Sequence, residues 1–468
     1  MNSNNNVTHS KYLVNELINV SSQNLHLLPD LSQFIQVKYL YCHHNNIYIL
    51  PTFPPSFHTL ISLDCSYNDL KFLPKLPVGL RNLDCSHNHL ERLPKLPVGL
   101  HDLNCSGNDL KFLPKLPVEL RFLNCSGNDL SCLPTLPVEL EILDCSVNQL
   151  TSLPELPIGL KYLECSCNNK LFALPRLNDK LKTLVCIQCN LYVLPPLQNL
   201  ETLGCQNNDI RNLPELPNTL VHLTCSFNKL EYLPSLNECL FHLECNNNKL
   251  KELPPLPDTL EFIDCEHNHL TEFPSLNDKL RILNCSNNKI RQLPAALNCN
   301  LEYLTCSNNE LTHLPVLNRQ LEHLNCSSNK ITMLPMFPPL LVAIIFDKNP
   351  IYTELYNDEI TCFDIQYYSM ELIQNLHLNE DEYHDFIHED QQRIDKMTVE
   401  LSQKVRTLHD FRFMFYSLKY KSTFRNLLWD KIRRPKIEAK YHPDNLQKLL
   451  KNITEDNDVS EIWTAADN

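Results

Sequence analysis

Residues 60–80, LISLDCSYNDLKFLPKLPVGL, contain the pattern that decides the fold. The pattern returns twenty residues later, with Cys85 in the place of Cys65, and it continues along the chain to Cys326. A period of this length predicts a solenoid, because one such unit is too small to bury a core by itself. Its units must stack on one another, and the stack presents a long surface suited to binding.

The composition narrows the class of protein. The chain has 468 residues, a formal net charge of −14, 32 prolines and 6 glycines. The acidic balance argues against nucleic acid or an anionic membrane as the partner of the whole molecule. No run of about 18 apolar residues occurs, and the first residues, MNSNNNVTHSKYL, lack the apolar core of a signal peptide. We therefore expect a cytosolic protein that is not secreted through a signal peptide.

Cysteine is unusually frequent, and most of it occupies one position of the repeat. One cysteine per unit does not offer the paired spacing of a zinc site. A buried thiol behaves as a small hydrophobic side chain, so we expect a column of buried thiols and no metal. Oxidation of neighbouring thiols stays open, because the spacing of adjacent strands lies within the range of a disulfide. Fifteen of the 21 cysteines form the column: 42, 65, 85, 105, 125, 145, 165, 186, 205, 225, 245, 265, 285, 306 and 326.

The order of residues within a unit predicts its local structure. Leu63 and Cys65 are two residues apart, so they point to one face of a short strand, while Asp64 points to the other. The Pro-rich segment that follows, Leu73 to Leu80, is too short for a helix and favours an extended polyproline-like conformation. With Val20 and Phe346 in the place of cysteine, about 17 units extend over residues 13–355, after a disordered segment of residues 1–12.

The pattern L-x-x-L-x-C-x-x-N-x-L resembles leucine-rich repeats. Each unit also contains a second Leu-Pro pair in its return segment, and in this it resembles the short repeats of bacterial leucine-rich effector proteins. The resemblance implies an α/β-type horseshoe with a parallel concave sheet and an extended Pro-rich convex side. It also implies that the recurring asparagine, Asn68 in the quoted unit, bonds backbone groups of its own and adjacent turns and is therefore structural.

Two columns of residues are predicted to face the concave side. One column starts at Tyr41, ends at Asn325, and contains six acidic residues and no basic residue. The column beside it contains two apolar stretches, and exposed apolar clusters mark interaction sites. Solvated strands also favour such residues without any binding role. The candidate binding residues are Phe122, Ile142, Tyr162, Phe262, Ile282 and Tyr303, with Asp64, Asp84, Asp144 and Glu164.

Two histidines in this second column allow a further interpretation. His222 and His242 are one repeat apart and lie near Glu244 and Asp264 in the sequence. Imidazole and carboxylate groups can bind metal. A surface histidine on a polar column is the interpretation that we favour, so no metal and no cofactor are expected.

The repeat stops near Leu355, and residues 356–468 are predicted to form a small, mainly helical domain. Basic and aromatic residues alternate over 404–440, which could indicate nucleic-acid binding, but a helical domain with a basic face fits the acidic chain better. Cys362-Phe363-Asp364 resembles the Cys-x-Asp motif of bacterial leucine-rich ubiquitin ligases. The run 428–446 resembles a C-terminal signature of giant amoebal DNA viruses of the mimivirus type, which implies a protein of the host cytoplasm or of the virion.

The sequence therefore predicts a non-enzymatic protein-binding scaffold that uses its concave face. Its partner would be a host or viral polypeptide, and neither nucleic acid nor a membrane. No phosphate loop, catalytic carboxylate pair or Ser/His/Asp set occurs, so no catalytic residue is assigned. The alternative is a ubiquitin-ligase-like effector or adaptor in which residues 356–468 are the active or recruiting part.

Overall fold

The computed structural model describes residues 13–14, 16–31, 36–295, 297, 300–335, 337–338 and 340–350. Every strand in these ranges belongs to one sheet of 18 strands. The strands are β1 Leu13–Val14, β2 Leu17–Asn19, β3 Tyr39–Tyr41, β4 Ser62–Asp64, β5 Asn82–Asp84, β6 Asp102–Asn104, β7 Phe122–Asn124, β8 Ile142–Asp144, β9 Tyr162–Glu164, β10 Thr183–Val185, β11 Thr202–Gly204, β12 His222–Thr224, β13 His242–Glu244, β14 Phe262–Asp264, β15 Ile282–Asn284, β16 Tyr303–Thr305, β17 His323–Asn325 and β18 Ala343–Ile345.

The sheet has the parallel arrangement that the repeat predicts. β1 and β2 form an antiparallel pair. From β2 onward each strand is parallel to the strand of the next repeat, with equivalent residues in register, as Leu63 of β4 is with Leu83 of β5. The sequence prediction of a parallel leucine-rich repeat solenoid is therefore confirmed.

The core is a single column of leucines and cysteines that extends through the stack. In the unit of β4, Leu60, Leu63, Cys65 and Leu70 are all buried, and they belong to the same cluster as their equivalents in the other units. Burying a leucine side chain contributes about 1.5–3 kcal/mol. One unit is therefore marginal, and the stack as a whole is stable.

The return segment is extended, as the prolines predict. Leu73 and Leu76 are buried, whereas Lys75 and Val78 are exposed. This alternation repeats every three residues, which is the period of a polyproline helix. A short 3-10 helix, Pro55–Thr59, occupies the longer spacing between Cys42 and Cys65.

The recurring asparagine connects each turn to the previous one. Asn88 Nδ2 donates to the carbonyl oxygens of Cys65, Cys85 and Ser86 at 3.0, 3.2 and 3.1 Å. Its Oδ1 accepts from the backbone N–H of Leu70 at 2.9 Å. One buried side chain thus satisfies four backbone groups, which accounts for its recurrence.

The sequence lacks this asparagine at Cys189, and the structure shows why the fold tolerates the change. An extra residue in the preceding turn lets the Leu171 N–H donate to the Asn168 carbonyl oxygen at 2.9 Å. The side chain at position 189 therefore does not have to supply an acceptor for the Leu171 N–H. The Cys189 thiol donates to the carbonyl oxygen of Cys165 at 3.1 Å.

Several predictions concern parts of the chain outside the described residues. They are the disordered segment 1–12, the helical domain 356–468, Cys362 with its neighbours, and the run 428–446. Among the described residues, no helix has the length and apolar character needed to cross a bilayer.

Candidate functional site: the outward face of the sheet

The strands place the two predicted columns side by side on the outward face of the sheet. We call the first residue of each strand the aromatic column and the third residue the acidic column. The middle residue between them points into the core, as Leu143 does in β8. Since the strands are parallel and in register, residues separated by one repeat become direct neighbours.

The first apolar patch consists of Phe122, Ile142 and Tyr162. These side chains are half-buried and lie in register on β7, β8 and β9. Tyr162 Oη donates to Glu164 Oε2 at 2.6 Å, which links the aromatic column to the acidic column. Burial, and then the charge of Glu164, raises the pKa of the Tyr162 phenol. The tyrosine is thus a neutral donor with a fixed orientation.

The second apolar patch is longer than the sequence analysis predicted. Phe262, Ile282 and Tyr303 lie in register on β14, β15 and β16. His242 stacks on Phe262 with ring centroids 4.3 Å apart, and His323 stacks on Tyr303 at 4.6 Å. The five side chains form one continuous row. The position of the histidines in the column was visible in the sequence, because they occupy the same first strand position as the aromatics, but their stacking was not.

The first part of the acidic column places two carboxylates on adjacent strands. Asp64 and Asp84 are in register on β4 and β5. Asp84 Oδ1 accepts from the N–H and hydroxyl of Ser86 at 3.0 and 2.6 Å, and its Oδ2 accepts from Asn104 Nδ2 at 3.1 Å. Burial, and then the charge of Asp64, raises the pKa of Asp84. The equivalent residues Asp144 and Glu164 are neighbours on β8 and β9.

The second part of the acidic column lies beside the longer apolar patch. Glu244 Oε1 lies 2.9 Å from His242 Nε2. Asp264 Oδ2 accepts from Asn246 Nδ2 at 2.7 Å. Burial raises the pKa of Asp264 to about 6, with the charges of Glu266 and Glu244 adding to the shift.

The raised pKa of Asp264 predicts a stability effect that depends on pH. An unfolded Asp ionises near its ordinary value of 3.8, and the folded one near 6. The ionised carboxylate therefore costs folding free energy, and this cost grows as pH rises from about 4 to 6. We expect Asp264→Asn to raise the free energy of unfolding by about 1–3 kcal/mol at pH 7.5 and by much less at pH 4.

Urea denaturation at the two pH values measures this effect. Asp258→Asn is the matched control, because Asp258 is an exposed residue of the same repeat. An equal gain at pH 7.5 and pH 4, or an equal gain in the control, would contradict the assigned cause.

The middle of the face separates the two patches. β10, β11 and β12 carry no acidic residue in either column, and apart from His222 their residues there are Thr, Val or Gly. Thr224 replaces the Asp or Asn found in most units, and the buried Ser226 hydroxyl has no hydrogen-bond partner. The face is therefore divided into two apolar and acidic regions, one on β4–β9 and one on β13–β17.

His222 and His242, which the sequence offered as possible metal ligands, are neighbours in the aromatic column. His222 and His242 have ring centroids 6.0 Å apart, and His242 contacts Glu244. In the ranges that the structure describes, no three His, Cys, Asp or Glu side chains gather as metal ligands would.

A parallel solenoid with a leucine core and a recurring buried asparagine defines the class of leucine-rich repeat proteins. YopM of Yersinia enterocolitica is 33% identical over 71% of this chain and 82% of its own, with a TM-score of 0.57. YopM of Yersinia pestis, a leucine-rich effector protein, is 31% identical over 70% of this chain and 88% of its own, with a TM-score of 0.55. The chain therefore belongs to the leucine-rich repeat proteins.

A leucine-rich repeat protein of Leptospira interrogans shares the fold at 24% identity, covering 72% of this chain and 90% of its own, with a TM-score of 0.52. No model of a protein family matches the chain. No curated protein matches it either. The sequence resemblance to bacterial leucine-rich effectors is thus confirmed for the repeat region, and the resemblance to viral proteins stays a prediction.

Proposed function

We propose that the protein is a non-enzymatic scaffold whose outward sheet face binds a basic segment of a protein partner. The observation that carries the proposal is the acidic column, with six carboxylates and no basic residue, beside two half-buried apolar patches. A surface of one charge sign attracts a ligand of the opposite sign and speeds its association. Aromatic side chains then supply the anchors from which binding energy comes.

The hydrogen bonds within the face support this role. Asp84 is held by Ser86 and Asn104, and Glu164 by Tyr162. Carboxylates fixed in this way need little ordering when a ligand binds, which favours affinity. A polyanion such as nucleic acid would meet repulsion along the same column, so a polypeptide is the proposed partner.

We propose that this binding takes place in the host cytoplasm or in the virion. The resemblance of the run 428–446 supports a viral protein that acts in the host cytoplasm or is packaged in the virion, with a host or viral polypeptide as its partner. YopM, which shares the repeat architecture, is described as an effector protein. The ligase alternative depends on Cys362, which lies outside the described residues, and no described residue favours it.

Two matched fluorescent peptides test the proposal on the full chain. Both are 15 residues long with leucine at the same positions, and the intervening residues are arginine in one and glutamate in the other. We expect the arginine peptide to bind, and Phe262→Ala with Tyr303→Ala to weaken it at least tenfold, because each lost anchor costs about 1–2 kcal/mol. Phe122→Ala with Tyr162→Ala tests the first patch in the same way.

Tyr232→Ala is the control, because Tyr232 is an exposed aromatic residue outside both columns. Fluorescence anisotropy gives the affinities. Unchanged affinity in both patch variants, or an equal loss in the control, would refute binding at the face.

A further inference from the structure

A row of exposed aliphatic side chains lies away from the outward sheet face. It occupies one position in five consecutive repeats, in the turn that leads from the return segment into the next strand. We call it the valine row. Its members are Val78, Val98, Val118, Val138 and Ile158, with exposed fractions of 74, 76, 68, 69 and 78%.

The backbone holds these side chains outward. In the return segment the buried leucines alternate with exposed residues every three positions, so Val78 and Lys75 lie on the same exposed side. The turns of adjacent repeats are in contact, since a Cβ placed on Gly159 would lie 3.4 Å from the Val138 carbonyl oxygen. The row is therefore an apolar stripe on the order of a few hundred Å2, which is the size of the largest apolar patch on a typical monomer, and such patches are often functional.

Basic residues flank the valine row. Five exposed lysines lie in the return segments of the first three repeats, where Glu91 and Glu119 are the exposed acidic residues and Glu119 is paired with Arg81. The last two repeats carry Glu139 and Glu155 instead of lysine, so the basic part of the surface lies beside Val78, Val98 and Val118. Among the described residues, none of the five lysines makes an ion pair. The lysines are Lys71, Lys75, Lys95, Lys111 and Lys115.

The fold does not require aliphatic side chains at the position of the valine row. Later repeats carry polar or charged residues at the position of the valine row, including Arg319, and these are also exposed. Both sets occupy equivalent turns of the same solenoid. The aliphatic and basic residues of the first repeats are therefore not needed for the chain to fold. The other later residues are Asp179, Asn218, Glu238, Asp258 and Asp278.

We propose that the valine row and its lysines form a second docking surface, which binds an acidic, amphipathic segment of a protein. The unpaired lysines require negative charge in the partner, and the stripe requires a line of apolar side chains. A polypeptide segment fits a stripe that is one side chain wide and five repeats long. A bilayer would instead contact a broad surface, and the chain as a whole carries a charge of −14.

The same pair of leucine peptides tests this surface on the full chain. We expect the glutamate peptide to bind, and Val98→Asp with Val118→Asp to weaken it at least tenfold while leaving the arginine peptide unaffected. These substitutions preserve the fold, because Asp258 and Asp278 occupy equivalent turns. Lys95→Glu with Lys115→Glu should give a similar loss, and 0.5 M salt should weaken the wild-type complex.

Val316→Asp is the matched control, because Val316 is a valine 79% exposed that lies outside the row. Four results would each overturn the proposal. The first two are that the glutamate peptide does not bind, or that the control variant loses as much affinity as the valine-row variant. The other two are that the valine row mediates a dimer, detected by analytical ultracentrifugation, or that it binds phosphatidylserine vesicles in place of the peptide. A loss confined to the arginine peptide would instead concern the outward sheet face, so the two surfaces are tested separately.

Discussion

Replacing Asn168 with alanine is expected to lower the free energy of unfolding by about 3–5 kcal/mol. Asn168 is fully buried. Its Nδ2 donates to the carbonyl oxygens of Cys145, Cys165 and Ser166 at 3.1, 2.8 and 3.3 Å, and its Oδ1 accepts from the Leu150 N–H at 2.9 Å. Alanine leaves the buried Leu150 N–H without a partner, which costs about 1–3 kcal/mol. The three carbonyl oxygens each keep a second donor, in the Asn148 amide, the Cys189 thiol and the Val147 N–H, so each loses one hydrogen bond worth about 0.5–1.5 kcal/mol.

The measurement is the urea midpoint, together with hydrogen exchange of the Leu150 amide. That amide should lose protection more than amides several repeats away, because each repeat contacts only its neighbours. Asn218→Ala is the control, since Asn218 is an exposed asparagine of a return segment. A loss below 1 kcal/mol for Asn168→Ala, or an equal loss in the control, would show that the asparagine column is not what connects the turns.

Alkylation of the folded protein is expected to be at least a thousandfold slower at the fifteen cysteines of the column than at the exposed Cys132 and Cys239. All fifteen cysteines of the column are buried, while Cys132 and Cys239 are exposed. Burial raises the pKa of Cys205 to about 12, from an ordinary value of 9. The reactive thiolate is then about a thousandfold rarer, and the reagent must also reach a closed core.

Iodoacetamide labelling at pH 8, followed by mass spectrometry of the peptides, measures each site separately. The peptides of Cys132 and Cys239 serve as internal controls, and labelling in urea should make the rates of all sites similar. Rapid labelling of Cys145 or Cys225 in the folded protein would contradict a closed core. Recovery of disulfide-linked peptides from neighbouring repeats would show that the open alternative of oxidation occurs.

The candidate site was predicted in part from the sequence. The alternation around Leu and Cys was sufficient to place Phe262 and Tyr303 on the outward face, because a strand has a period of two. The contribution of His242 and His323 was not recognised, since stacking depends on ring orientation, which a one-letter pattern does not contain. The same holds for the contact of Tyr162 with Glu164 and for the raised pKa of Asp264, which depends on burial by neighbouring turns.

The sequence by itself determined the architecture: a twenty-residue period, an inward Leu and Cys, a polar bridge such as Asn88 and an extended Pro-rich return. Each is a local rule repeated many times, so the many units reinforce one another. The tertiary structure decided how the outward side chains are oriented and which of them contact one another. It did so because stacking in register brings residues twenty positions apart to about 5 Å. Residues that are twenty positions apart, such as His242 and Phe262, thereby stack on one another and form one surface.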